Sequence, residues 1–442
     1  MRVRTPRATR VTTASAQRNS FVAAEPQAQR VDRRALAAFL DFEAKLACIA
    51  GTVRLLPSLT ARNAVAERAR LETDLRAGTM PCPRYDYAPP KPSRANLRWL
   101  DQLRVEASRL PVPQLYLDKL EELELDVALL AGLGDVRQVR PLAARRFGTG
   151  EELVDTPSGR LRLIDYSIGL LKQPWLSDRQ TLRRRRARAV VPADGPAGTF
   201  SLRALIEYIA KVAKLQVQVR VEPNLTAGAA TGDRTVFIAD RKWTPREAWR
   251  LAVHEVLGHL TAAQNGKQQP LRLLEWGCGF AFADQEGVAL CIEESFGVLD
   301  RARLRALAGR VLATRQMHAG AAFGETARCL FNEFHFDAPE AIAITERAYR
   351  GGGVARDAGY LKGHLRVRQA LQDQHTTLQE MRMGRVSLSA LPALRELQEI
   401  GVLNPPVYRP NLTRSFFSTN SGTMPWRLPP SAAASLMSVE LT

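Results

Sequence analysis

From Arg33 onward the chain is patterned mostly at the period of an α-helix. Leu36, Phe39, Leu40, Phe42 and Leu46 recur at helical spacing through ALAAFLDFEAKLACIA. Further helical stretches are predicted over 61–76, 97–109 and 113–130, with a Pro-rich break over 81–92. Residues 140–200 are less regular and Arg-rich, which predicts a solvated connection or an exposed helix. A helix over 201–214 is followed by LQVQVRVEP (215–223), whose apolar and polar residues alternate as in a half-buried strand. TVFIA (235–239) follows a Gly-Asp turn signal and predicts a second strand. A helix then begins near Thr244, with Thr244 as its cap and Pro245 at the first helical position. From there to Gln374 the pattern is nearly all helical, with breaks over 265–270, 277–279, 297–300 and 351–353. The fold class this implies is α+β, mostly helical, with a small sheet preceding the helix that carries HEVLGH.

Composition bounds this picture. The chain has 442 residues, 45% hydrophobic and 24% charged, which suits a globular protein with a substantial core. Residues 1–30 are basic, hydroxyl-rich and without an apolar core segment, so a disordered basic tail is expected there rather than a secretory signal. The division expected is this tail, a helical region over 31–200, a catalytic region over 201–410 and a Ser/Pro-rich tail over 411–442. No apolar run is long enough to span a membrane. The five cysteines are odd in number and far apart, which fits a reducing cytoplasm. The net charge of +18 favours an acidic peptide or an anionic surface as partner. Apart from Arg183 to Arg186 the charge is spread along the chain, with no aromatic-interleaved basic motif, and this argues against nucleic-acid binding. Nothing in the sequence fixes an oligomeric state.

The chemistry concentrates in WRLAVHEVLGHL (249–260). A catalytic zinc ion takes imidazole nitrogens and carboxylate oxygens and keeps one position open for water. His254 and His259 offer two nitrogens, and Glu255 is placed to move the proton of an activated water. Histidines five apart lie roughly 140° apart around a regular helix, against about 40° for the familiar spacing of four. The spacing therefore demands a π-bulge or similar distortion over 256–258, and Gly258 is the residue suited to tolerate it. A following helix, DQEGVALCIEES (284–295), offers a third ligand. Glu286 and Glu293 share a face, and chemistry alone does not choose between them.

At these residues the chain resembles a known family. HEVLGH, QPLRLL (269–274), QEGVA (285–289) and AYRGGGVARDAGYLKG (348–363) are similar, in order, to blocks of the QEGLA-motif peptidase-like family. That family includes proteins described as flavohemoglobin expression modulators and the microtubule-associated tyrosine carboxypeptidases. The likeness runs from about residue 33 to 410. It implies one zinc ion bound by His254, His259 and Glu286, with Glu255 as the catalytic base. Two departures stand out: Val288 replaces the usual Leu, and Leu257-Gly258 stands where Gly-Thr is common. HEVLGH is also similar to the HExxGH of dipeptidyl peptidase III, whose EExxAE-like third-ligand motif is missing here.

A carboxypeptidase must also hold the terminal carboxylate of its substrate. Arg350, in YRGGG, is the candidate, because a guanidinium pairs bidentately and glycines let the backbone approach; a helix C-cap is the competing reading. Tyr349 and Tyr360 are expected in the core, and His318 and His335 in the core or behind the ligands. The expectation is a zinc-dependent, carboxypeptidase-like hydrolase acting on a peptide or protein C-terminus. Preference for a terminal Tyr or other aromatic residue follows only from the resemblance. The competing readings are a non-enzymatic, zinc-stabilised regulatory or binding protein, and a dipeptidyl-type aminopeptidase.

Overall fold

Asp32 accepts hydrogen bonds from the amides of Arg34 and Ala35 and so starts helix α1 (Arg33–Ala50). The computed structural model describes residues 32–88, 94–173, 190–196, 198–223, 225 and 227–411. The expected tails over 1–30 and beyond 411, the run Arg183 to Arg186 and the end of the Pro-rich stretch lie outside these residues. Helix α1 buries Phe39, Phe42, Leu46 and Ile49, whereas Leu40 falls beside that stripe and is exposed. Helices α2 (Ala64–Arg76), α3 (Arg94–Ala107) and α4 (Pro113–Ala131) follow close to where the period predicts them.

The stretch from 140 is more ordered than its Arg-rich text suggests. It holds the end of α5 (Val136–Phe147), an antiparallel hairpin of β1 (Leu153–Thr156) and β2 (Gly159–Arg162), and α6 (Leu163–Lys172). The arginines mislead because some are paired rather than solvated. Arg146 is buried between Asp126, 2.8 Å away, and Glu122, 3.1 Å away.

Helix α7 (Leu202–Val212) is capped by Ser201 and leads into a three-stranded sheet. Strand β5 (Thr235–Ala239) is central, parallel to β3 (Gln218–Glu222) and antiparallel to β4 (Ala229–Thr231). The register sets Val219 beside Val236 and Ala230 beside Phe237. The sequence reading missed β4, whose three residues are too few to show a period.

After the sheet the chain is helical. Helix α8 (Pro245–Val253) runs without a break into a π-helix (His254–Leu260) and then α9 (Thr261–Gln268). The break expected over 265–270 falls later, because tertiary bonds hold the Asn-Gly pair helical. The Asn265 side chain donates to the carbonyls of Arg382 and Tyr408, each at 2.8 Å, and Gly266 packs on the backbone of Leu274. The longer helices that follow are α10 (Ala281–Ser295), α11 (Arg301–His318), α12 (Phe323–Arg328), α13 (Ala338–Gly353), α14 (Ala358–Gln372) and α15 (Leu391–Glu399), with single turns and a second, short π-helix (Cys329–Glu333) between them. It is α+β and mostly helical. Among the described residues no helix is long and apolar enough to cross a membrane.

Two large apolar clusters flank α10. Val288 and Ile292 join a cluster that includes Phe39, Leu103 and Tyr116 from the N-terminal helices and Val253, Val256, Leu257 and Leu260 around the HEVLGH segment. Leu290 faces the other, with Leu307, Val311, Phe336 and Leu361. A helix apolar on all sides is a buried helix. Its carboxylates Asp284, Glu286 and Glu293 are therefore carried inside the protein, where each needs a partner.

Candidate metal centre

Thr244 and Glu247 form a reciprocal capping box around Pro245, and this fixes the start of α8 as expected. The helix then widens over His254–Leu260. In a π-helix the backbone bonds span five residues, so side chains five apart stack on one face. Thr261 Oγ1 donates to the carbonyl of Val256 at 2.9 Å, satisfying a backbone group within the widened turn. The distortion demanded by the histidine spacing is present. Gly258, however, is not needed for an unusual dihedral. A Cβ there would meet the Cβ of Ala289 on α10 at 3.0 Å, so the glycine serves close packing of the π-helix on α10.

That packing brings Glu286 to the two histidines. His254 Nε2 lies 3.3 Å and His259 Nε2 3.5 Å from Glu286 Oε2, and the two ring nitrogens are 3.2 Å apart. A tetrahedral zinc ion with bonds of about 2.0–2.1 Å holds its ligand atoms roughly 3.3–3.4 Å apart, which this triangle matches. Glu286 Oε2 is buried and has no hydrogen-bond partner, as expected of an atom aimed at a cation. His259 is the most exposed of the three, at 23%, and opens the group to solvent.

The surroundings favour positive charge at this point. Burial works against an imidazolium at His254, yet the carboxylates of Glu286 and Glu293 outweigh it and push its pKa up to about 9. Burial likewise opposes the charge on Glu286, and the two imidazoles outweigh it, holding the carboxyl well below the usual range. Glu255 is buried beside them, and its Oε2 accepts a 2.7 Å hydrogen bond from Thr231 Oγ1 at the end of β4. The strand missed in the sequence thus supplies the partner of Glu255.

Glu293 has a role that the sequence reading did not assign. It lies one face-repeat beyond Glu286 and accepts from His254 Nδ1 at 2.8 Å, leaving Nε2 for the centre. Burial opposes its charge, but Arg303, His254 and Arg250 outweigh it and lower its pKa to about 2. The two carboxylates are complementary rather than alternatives. Their spacing of seven was the visible signal.

Arg350 stands apart from this group. Helix α13 kinks at Arg350–Gly352, where Gly351 and Gly352 have φ of 65° and 90°. The Arg350 Nη2 lies 3.6 Å from Asp357 Oδ1. Arg347 and Arg310 also pair with this buried carboxylate, and Arg356 Nε lies 3.9 Å from it. Arg347 and Tyr360 are near enough to Glu286 for its charge to act on them. Tyr360 is buried against Phe282, and the Tyr349 hydroxyl bonds Thr326 and the carbonyl of Ala321, as core residues do. His318 is half-buried near Arg140. His335 is exposed, with φ of 56°, and so belongs neither to the core nor behind the ligands.

Comparison with known proteins adds one finding. The family model described as microtubule-associated tyrosine carboxypeptidase matches residues 75–424. No curated protein and no solved structure matches.

Proposed function

The chain belongs to the microtubule-associated tyrosine carboxypeptidase family, and on that premise we propose that it is a zinc-dependent, carboxypeptidase-like peptidase. The ion would be held by His254, His259 and Glu286. The observation that carries this reading is the triangle of ligand atoms 3.2–3.5 Å on a side, closed by a carboxylate oxygen with no other partner. When bound, zinc supplies Lewis acidity toward the peptide carbonyl and lowers the pKa of water.

The remaining work falls to the chain's own residues. Glu255 takes a proton from the attacking water and returns it to the leaving amine, while Thr231 fixes its carboxylate. Glu293 holds the ring of His254 in the tautomer that presents Nε2. Arg350 would bind the terminal carboxylate of the substrate. Its support is an excess of positive charge: four guanidinium groups share the Asp357 carboxylate, and the Nε and Nη2 of Arg350 lack hydrogen-bond partners. The substrate is a peptide or protein C-terminus. An acidic sequence suits the +18 charge, and a terminal Tyr follows from the family alone. All five cysteines are free, which supports a reducing, cytoplasmic setting.

The test is metal content together with release of terminal residues from free-acid peptides. Wild type should hold at least one zinc per chain and release C-terminal residues. Glu255→Gln should keep the metal and lose roughly 10²–10⁴-fold in rate, and His259→Ala should lose one zinc per chain together with the activity. Equal activity in Glu255→Gln, or wild type without stoichiometric zinc, overturns the mechanism. Stoichiometric zinc with no release from any peptide would instead fit a zinc-stabilised binding protein. Release from the N-terminus would fit a dipeptidyl-type aminopeptidase.

A further inference from the structure

Helices α10 and α14 cross with their backbones in contact. A Cβ on Gly287 would strike the backbone of Gly363, and one on Gly363 would strike that of Ala283. Immediately beyond this crossing, Cys291 and Glu294 of α10 meet His364 of α14. One ligand atom from each (the thiol sulfur, a carboxylate oxygen and a ring nitrogen) lies within 4.8 Å of the other two. His364 Nε2 is 3.1 Å from Glu294 Oε2. Cys291 and His364 are buried, at 8% and 3% exposure, whereas the Glu294 side chain is 40% exposed. The group is therefore closed on two sides and reached by solvent at one corner.

Two features distinguish it from an ordinary surface pair. The imidazole is almost wholly buried, yet its Nδ1 has no hydrogen-bond partner. A buried thiol also completes the set, and it comes from the same helix as the carboxylate, three residues before it. Thiolate, imidazole and carboxylate with an open fourth position form the donor set of a borderline divalent cation such as zinc. Calcium and magnesium prefer oxygen alone. Arg368 Nε, 3.6 Å from Glu294 Oε1, is the cationic neighbour an incoming ion would have to displace or share.

We propose that Cys291, Glu294 and His364 form a second cation site for a zinc-class ion, pinning α10 to α14. On binding, the Cys291 sulfur–hydrogen bond breaks, the proton leaves to solvent and a sulfur–metal bond forms, with no change of oxidation state. Glu286 and Glu293 lie on the same helix. An ion here therefore braces the element that carries two carboxylates of the first centre.

Cobalt tests this separately from the first centre, which contains no sulfur. The full chain, carrying Cys48→Ser and Cys82→Ser to remove the two exposed thiols, is dialysed against chelator and titrated with Co²⁺. A thiolate-to-cobalt charge-transfer band is expected, saturating by two ions per chain, one for each centre. It should vanish in Cys291→Ser and persist in His259→Ala, which disables only the first centre. Glu294→Gln alters an exposed side chain and should not disturb folding; it should weaken cobalt binding by roughly ten-fold or more, at least the cost of losing an outer partner. No band in the parent protein, a band surviving in Cys291→Ser, or a band lost in His259→Ala overturns the proposal.

Discussion

Glu293 has no exposed side-chain surface and touches His254, Arg303 and Arg250. Its carboxylate serves two ends at once, neutralising buried cations and fixing the proposed ligand ring. Glu293→Gln should lower zinc affinity roughly 10–100-fold in chelator competition. Glu255→Gln, which touches no ligand ring in this way, should leave zinc affinity nearly unchanged, and equal losses in both variants would contradict the assignment. Asp357 is a second residue with several obligations. Burial opposes its charge, but Arg347, Arg310, Arg350 and Arg356 outweigh it and hold the carboxyl well below the usual range. A folded-state pKa below the unfolded one gives stability that is present above the unfolded value, about 4, and lost as pH falls further. Asp357→Asn should therefore cost about 3–5 kcal/mol at neutral pH. In urea unfolding the gap to wild type should narrow below about pH 4; a gap independent of pH would mean that the carboxylate's charge is not what matters.

At the scale of elements, the centre depends on two helix contacts made by glycine. Gly258 lets the π-helix sit on Ala289, and Gly287 lets α10 reach Gly363 of α14. Gly258→Ala adds a Cβ 3.0 Å from that of Ala289, so α10 must yield by a few tenths of an ångström. A loss of about 1–3 kcal/mol in thermal unfolding is expected, accompanied by weaker zinc retention because Glu286 moves with α10. Gly287→Ala meets backbone rather than a side chain and should be worse. If Gly258→Ala retained zinc and stability unchanged, close packing could not be the reason for that glycine. The periodic elements were legible: TVFIA is β5 residue for residue, and the cap expected at Thr244 starts α8. The missed elements were short or masked by composition. Strand β4 has three residues, and the α5 and hairpin region hides behind arginines whose charges are paired.

For the whole molecule, the charge of +18 has a kinetic consequence. A cationic protein draws anionic peptides by a field that salt screens, with a Debye length of about 8 Å at physiological ionic strength. The kcat/KM for a peptide with an acidic C-terminal segment should fall steeply between low and physiological salt, while that for a neutral peptide of the same length should change little. Parallel salt dependences would remove charge as a source of substrate preference. The two apolar clusters on either side of α10 also bear on function, since they hold Glu286 and Glu293 in a setting where charge is costly unless paired.

By itself the sequence determined the class of the fold, the two histidines and the need for a widened turn between them. These follow from local spacing, because helical periodicity and ligand separation are set within a dozen residues. Chemistry read from the sequence stopped at two equivalent carboxylates, Glu286 and Glu293, and the resemblance alone favoured one. Tertiary structure gave each a place, since the π-helix and α10 meet only when the fold brings His254 to Glu293, 39 positions away. The same holds for the partner of Glu255, which comes from β4, and for the cation cluster around Asp357, drawn from α11, α13 and the turn before α14. Such groupings depend on which faces the core turns inward, and no local pattern of apolar and polar residues encodes that.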